Sequence, residues 1–323
     1  MELRVFFAKS ISIALLLGCQ SVSEPKWYGS NQALDPDYIY AQAKGINLTS
    51  AKNSAVSQIN AQLWMQVRSE YSSNESLRTI NDNSDSNNYI NNKINTSSAQ
   101  IALSGIEYTE IDKNDINYFV QARIKRDIIV SQLESNAKKI ESNAEIQLEK
   151  INHQDKFLWW LENKDAQDKL EQINMYSDII MSLDNDKTIK INNTKVLVKE
   201  VSSIQSELLI HINRSSHDKL SADFLAQKFG KLGILNTQRN SRKITHQLKV
   251  RSEYRQSKVD NAYISTKLTN LLLINKKGKV LASNELISSA NSLTSYKLSR
   301  EGAERHFSAQ IEELGLWSAL GLN

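Results

Sequence analysis

Few residues of this chain stand at spacings that do chemistry. Ser135-Asn136-Ala137-Lys138 separates a hydroxyl from an amine by one helical turn, as a serine nucleophile and a lysine base would be. No companion motif completes such a site, and Ala137 falls on the apolar stripe of a long helical pattern, so the match reads as coincidence. The five histidines, His153, His211, His217, His246 and His306, form no metal-binding pair on one helix. Gly230-Lys231-Leu232-Gly233 lacks the spacing of a phosphate loop and reads as a helix stop. The expectation is a chain with no catalytic, cofactor-binding or metal-ligating residues, and not an enzyme.

One charge cluster is uneven. Between Lys228 and Lys258 nine basic residues stand against one acidic residue, Glu253. Within it Ile244, His246, Leu248 and Val250 alternate with polar residues, the period of a half-buried strand. Lys243, Lys249 and Arg251 would share the face opposite Ile244, Leu248 and Val250. Such a face is either a solvated surface that discourages aggregation or a contact for an anionic partner, such as phospholipid headgroups or an envelope polymer. No aromatics are interleaved with these charges, which argues against nucleic acid. The whole-chain balance agrees: 40 basic and 36 acidic residues leave a net charge of only +4.

The chain's single cysteine, Cys19, excludes an intrachain disulfide and a cysteine-built zinc site. Arg4 and Lys9 precede the apolar run Ile11-Ser12-Ile13-Ala14-Leu15-Leu16-Leu17, the charged start and apolar middle of a secretory signal. That run is shorter than the roughly 20 residues a spanning helix needs. It ends in Leu16-Leu17-Gly18-Cys19, which resembles the lipobox of bacterial lipoproteins. The resemblance implies a signal peptide over residues 1–18 and an acylated Cys19 at the head of a tether over residues 19–37. One acyl chain holds a bilayer only marginally, so the several chains of that family make the anchor stable. Gln20, where an Asp would mark retention in the inner membrane, implies the outer membrane, with the protein facing the periplasm.

With 323 residues, 40% hydrophobic and 24% charged, the chain has material for two modest domains. Only two prolines interrupt it, so long helices are permitted. Leu48, Ala51, Ala55, Ile59 and Leu63 recur at helical spacing, with Asn47 or Thr49 as caps. Around Leu63, Met65 and Val67 the pattern turns to alternation, which suggests a strand, and Ser72 to Asn92 reads as loop and helix start. Ile101 to Ile111 and Ile116 to Ile124 read as strands joined by a turn at Asp112-Lys113-Asn114-Asp115.

Leu133, Ala137, Ile140, Ala144, Leu148 and Ile151 make a helical stripe near the coiled-coil period. Phe157 to Leu183 continues as a second helix, with Trp159 and Trp160 as packing residues, and Val198 to Leu208 is a third helix or a strand. The last region reads as strand (Leu208 to Ile212), helix (Leu220 to Leu232), strand, a hairpin around Asn275 to Lys279, and a helix capped by Ser295. The apolar tail from Gly315 folds back onto the core or inserts into a partner. The fold class is α+β: two small α/β modules, residues 38–126 and 207–323, joined by a long antiparallel helical hairpin over residues 127–206.

The first module resembles the twenty-kilodalton lipoprotein family of bacterial envelopes. The residues that carry this are Pro25-Lys26-Trp27, Tyr38-Ile39-Tyr40-Ala41-Gln42-Ala43-Lys44-Gly45, Ser104-Gly105-Ile106-Glu107 and Tyr118-Phe119-Val120-Gln121-Ala122-Arg123. Ala43 stands where that family would have glycine. The order of helix, strand, hairpin and helix in the last region is similar to small periplasmic modules of the curli-secretion lipoprotein and the Tol-system B protein. These resemblances imply a non-catalytic envelope lipoprotein that binds envelope proteins or peptidoglycan, with a part in flagellar or secretion-apparatus assembly. The alternative is a regulator of, or an enzyme in, peptidoglycan metabolism. The oligomeric state is left open.

Overall fold

A computed structural model of the chain describes residues 23–30, 35–78 and 101–322; Cys19, the signal-like segment and all of the expected Ser72 to Asn92 loop beyond Arg78 lie outside the described residues, and the first part of that loop, up to Arg78, is helix. The described residues form an α+β structure that divides by contact into two compact units. Unit 1 takes residues up to Ser135 together with Tyr176–Thr188, and unit 2 takes Asn136–Met175 and Ile189–Asn323.

In unit 1, strands β1 (Tyr38–Gly45), β2 (Glu107–Lys113) and β3 (Tyr118–Lys125) form an antiparallel sheet in the order β1-β3-β2. The register sets Ile39 opposite Ile124, Ala41 opposite Ala122 and Ala43 opposite Val120, all buried. Period-two alternation puts these six residues on one face, and helix α1 (Leu48–Arg78) packs on the sheet. The buried residues Ala51, Ala55, Ile59, Leu63 and Val67 form a stripe on that helix. The strand expected around Leu63, Met65 and Val67 is therefore helix, and α1 runs on to Arg78. Met65, which suggested alternation, is a surface residue with 61% exposure, while Leu63 and Val67 continue the four-residue spacing. Asn47 caps the helix, its Oδ1 accepting the Ser50 N–H at 2.8 Å.

The opposite face of this sheet carries a polar ladder. Gln42 donates to Gln121 Oε1 at 2.8 Å, and Gln121 donates to Thr109 Oγ1 at 3.1 Å. Gln42 also binds the turn before the sheet, accepting the Gly29 N–H and donating to the Trp27 carbonyl. Tyr28 sits edge-on to Phe119, with ring centroids 4.9 Å apart. Thus Trp27, Tyr28 and Gly29, which follow Pro25-Lys26, cover the second face of the small sheet around Gln42 and Phe119.

The chain turns from β1 into α1 at Gly45, where an added Cβ would lie 2.5 Å from the Ala51 backbone nitrogen. The tight approach thus falls two residues after Ala43, whose methyl is itself buried in the sheet. Gly45→Ala forces backbone to move against backbone and is expected to cost about 1–3 kcal/mol. Chemical denaturation of the variant measures this, and an unchanged midpoint would show that the turn relaxes freely.

The middle of the chain holds four helices: α2 (Arg126–Lys150), α3 (Lys156–Asn163), α4 (Ala166–Leu183) and α5 (Asn193–Glu207). Helices α2 and α4 each contribute residues to both units. The single helix expected from Phe157 to Leu183 is broken at Lys164 and Asp165, and the segment that reads as either helix or strand after Asn193 is helix. Within unit 2, Glu141 of α2 accepts the backbone N–H groups of Asn192, Asn193 and Thr194 at 2.9–3.0 Å. A carboxylate at the start of α5 neutralises the positive end of that helix. Burial raises the Glu141 pKa, but these donors outweigh it and hold the group below the ordinary glutamate value.

The sheet of unit 2 has the order β5-β4-β6-β7-β8, built from β4 (Leu209–Arg214), β5 (Leu235–Thr237), β6 (His246–Val259), β7 (Ala262–Asn275) and β8 (Val280–Ser292). Strand β4 is parallel to β5 and β6, and β6, β7 and β8 form an antiparallel meander. Helix α6 (Lys219–Lys231) connects β4 to β5, and helix α7 (Tyr296–Leu314) returns over β7 and β8. Ser295 caps α7 by accepting the Leu298 N–H. The core joins Leu197, Val201 and Ile204 of α5 to Leu225 and Phe229 of α6, Leu271 and Leu273 of β7, and Phe307 and Ile311 of α7. Trp159 is fully buried and its Nε1 donates to the Gln147 carbonyl at 2.6 Å.

The tail folds back as a short helix, α8 (Leu316–Ala319), and buries Leu316, Ala319, Leu320 and Leu322. Trp317 packs against Phe157, Trp160 and Phe229, with centroid separations of 5.8–6.1 Å. Part of the outer edge of β8, a template for pairing with another chain, is occupied from within. His306 and Gln310 of α7 bind the backbone of Ser289 and Ile287. Gly321, with a φ of +81°, passes so close to the Ser283 carbonyl that a Cβ would lie 2.7 Å from it. Glycine is what lets the tail seat there.

Candidate functional site

The residues singled out by chemistry in the sequence are scattered. Ser135 and Lys138 are exposed on α2, and Ala137 between them is buried. Among the described residues no group of three His, Cys, Asp or Glu side chains could hold a metal ion. His153 and His217 are exposed; His211 is buried beside Gln247. A polar depression on α1, lined by Asn47, Ser50, Asn53, Ser54 and Gln58, carries no titratable side chain.

The basic face is arranged differently from its expectation. Strand β6 begins at His246, so Lys243 lies in the turn before it rather than on the strand. Lys249 and Arg251 do lie on the face opposite Leu248 and Val250. Arg251 is spent on its neighbours: its guanidinium donates to the Asn213 carbonyl at 2.9 Å and to Asn213 Oδ1 at 2.5 Å. It therefore pins β6 to β4.

Two constellations that sequence spacing did not reveal are assembled on the inner face of unit 2. In the first, β7 alternates Ser265, Lys267 and Thr269 inward, each fully buried. The Lys267 ammonium donates to Glu304 Oε1 at 2.7 Å and to the Ser221 hydroxyl. Ser221 donates to Glu304 Oε2 at 2.6 Å, and Tyr254 donates to Glu304 Oε1 at 2.5 Å. The ammonium also lies 4.9 Å from the Phe307 ring centre. Burial, with the Glu304 charge, pushes the Tyr254 hydroxyl well above the ordinary phenol value.

A serine beside a lysine is a nucleophile–base pair only if the lysine can be neutral and a substrate can reach the hydroxyl. Here the lysine is engaged by the Glu304 carboxylate, and the Ser221 and Lys267 side chains have no solvent-accessible surface. The arrangement binds α6, β6, β7 and α7 together, with Ser221 and Lys267 sealed from solvent.

In the second constellation, Asp155 at the start of α3 accepts from His246 Nε2 at 3.0 Å, from Asn275 Nδ2 at 2.9 Å and from the Phe157 N–H at 3.0 Å. His246 Nδ1 lies 2.9 Å from the Thr245 hydroxyl, which also bonds the Leu209 backbone on β4. Burial raises the Asp155 pKa, but hydrogen bonds from His246 and Asn275 outweigh it and bring the group down to about 2. The Thr245 hydroxyl is held by both backbone groups of Leu209, so this is a tie between α3, β6 and the end of β7. A sequence signal existed only for Asp155, as an acidic residue just before Phe157; its partners lie 91 and 120 positions away.

No protein-family model and no curated protein matches the sequence. The chain is similar in structure to the secreted protein HP1454 from Helicobacter pylori, with a TM-score of 0.51 and 12% identity over 86% of this chain and 98% of that one. A minor lipoprotein from Acinetobacter baumannii aligns over 35% of this chain and 93% of its own, with a TM-score of 0.29 and 11% identity. The first likeness extends across both units, and what the two chains share is their fold.

Proposed function

We propose that this protein is a lipid-anchored component of the bacterial cell envelope that acts by binding rather than by catalysis. The observation that carries the reading is Leu16-Leu17-Gly18-Cys19, placed after a charged start and a short apolar run and holding the chain's single cysteine. An acylated Cys19 would supply the membrane attachment, and among the described residues no helix is long and apolar enough to cross a membrane. The absence of Asp at position 20 supports the outer membrane as the destination, with both units facing the periplasm. A non-catalytic role is supported by the sealing of the Ser221–Lys267 pair and by its use in packing. The units would serve as binding modules for envelope proteins or peptidoglycan, within flagellar or secretion-apparatus assembly.

The test is membrane fractionation with intact-mass measurement, comparing the native chain with Cys19→Ala. The native chain is expected to carry a triacyl mass and to sediment with outer membranes, and the variant to be lost from them. A native chain with no acyl mass that stays soluble in the periplasm overturns the reading.

A further inference from the structure

We propose that one end of the unit 2 sheet is a docking surface for anionic phospholipid headgroups. The register defines this end: β4, β5, β6 and β8 begin there and β7 finishes there, with Ile210 beside His246, His246 beside Asn275 and Ile274 beside Val280. Two turns therefore emerge side by side, the one before β6 and the one between β7 and β8. The first carries Arg242 and Lys243, and the second carries Lys276, Lys277 and Lys279, all five exposed. The turns are far apart in sequence, and only the first lies within the basic segment from Lys228 to Lys258.

The two turns are fastened to each other. The Lys276 N–H donates to the Thr245 carbonyl at 2.9 Å, and the Lys276 ammonium reaches the Arg242 carbonyl at 3.5 Å. Asn275 holds the second turn, accepting the N–H groups of Lys277 and Lys279 at 3.0 Å while donating to Asp155. Five cations are thus presented on an ordered backbone. Among the described residues none of the five forms an ion pair with a carboxylate, although exposed cations elsewhere in the unit do, such as Lys156 with Glu207. Concentrating unpaired like charge costs self-repulsion, which an anionic surface relieves.

Apolar residues at the same end favour a headgroup surface over a soluble polyanion. Val280, next to Lys279, is 53% exposed, and Leu235, the first residue of β5, is 57% exposed. Lysines flanking exposed aliphatic side chains match the boundary between phosphate groups and acyl chains. The choice of a phospholipid rests on the envelope reading above; the charge geometry does not.

The experiment is cosedimentation of the chain without residues 1–18 and carrying Cys19→Ala, which removes both the signal-like segment and the acylation site. The vesicles are of phosphatidylglycerol mixed with phosphatidylethanolamine, or of phosphatidylcholine alone. Binding is expected on the anionic vesicles, weakening steeply with salt. Lys276→Glu, Lys277→Glu and Lys279→Glu together are expected to lower it by at least about tenfold, since each basic residue near such a surface matters by several-fold. A charge-matched control, Lys195→Glu, Lys219→Glu and Lys297→Glu, reverses exposed lysines outside this cluster and is expected to retain most of the binding.

Equal binding to neutral vesicles, or equal loss in the two triple variants, overturns the proposal. So does abolition by millimolar inorganic phosphate at constant ionic strength, which would make the site one for free phosphate. Retention on a soluble polyanion without vesicle binding overturns it as well. None of these outcomes bears on whether Cys19 is acylated, which fractionation decides separately.

Discussion

Lys267→Met is expected to destabilise unit 2 by about 3–5 kcal/mol, the cost of leaving one partner of a buried ion pair uncompensated. Glu304 would keep the neutral donors Ser221 and Tyr254 but lose the Lys267 countercharge. Glu304→Gln should cost a comparable amount, because it strands the Lys267 ammonium with no carboxylate partner. The double variant, Lys267→Met with Glu304→Gln, should recover much of the loss, since replacing both charges removes the desolvation penalty along with the attraction. A double-mutant cycle by urea denaturation measures the coupling. Simple addition of the two single effects would mean that the charges do not act as a pair.

The second large effect belongs to Asp155. Asp155→Ala removes the cap of α3 and leaves the buried His246 and the half-buried Asn275 without their acceptor. A lost cap costs about 1 kcal/mol, and stranding the buried His246 donor about 1–3 kcal/mol, so a loss of roughly 3 kcal/mol is expected. The pH dependence gives a separate signature. The Asp155 pKa is lowered on folding from 3.8 to about 2, so its stabilisation is present above pH 3.8 and is lost as pH falls towards 2. A tenfold difference in proton affinity between the folded and unfolded chain is worth about 1.4 kcal/mol, so acidification should cost the native chain roughly 2 kcal/mol through this group. The alanine variant should lack that component of acid destabilisation. An identical acid slope in the two proteins would remove Asp155 from this role.

The helical elements of unit 2 were legible because their signals are local. The start of the Phe157 helix, though not its break at Lys164 and Asp165, the helix between Leu220 and Leu232 and the Ser295 cap each lie within a few turns of chain, where spacing and capping chemistry decide the conformation. The hairpin around Asn275 to Lys279 was legible for the same reason. Errors arose where two periods overlap. Leu63, Met65 and Val67 satisfy a strand at every second residue, yet Leu63 and Val67 also continue a helical stripe, and burial against the sheet favoured the helix. Strand β1 carries the same one-faced alternation in Ile39, Ala41 and Ala43, but two of those three are alanines, weak strand formers in isolation, so its signal is faint.

The sequence by itself determined most of the periodic elements, the α+β class and the single cysteine on which the proposed anchor rests. Only the tertiary structure decided the pairings that give the interior its specificity. A lysine on a strand reads as a solvent residue; Lys267 is buried because Glu304, 37 positions later, returns on α7 to neutralise it. Lys249 and Arg251 were visible as a basic face, but the partner of Arg251 on β4 was not. The cluster of Arg242, Lys243, Lys276, Lys277 and Lys279 required two turns distant in sequence to be joined by sheet register. Spacing encodes what one element presents to its own neighbours. Charge compensation depends on which elements meet, and that is settled only when the strands have paired.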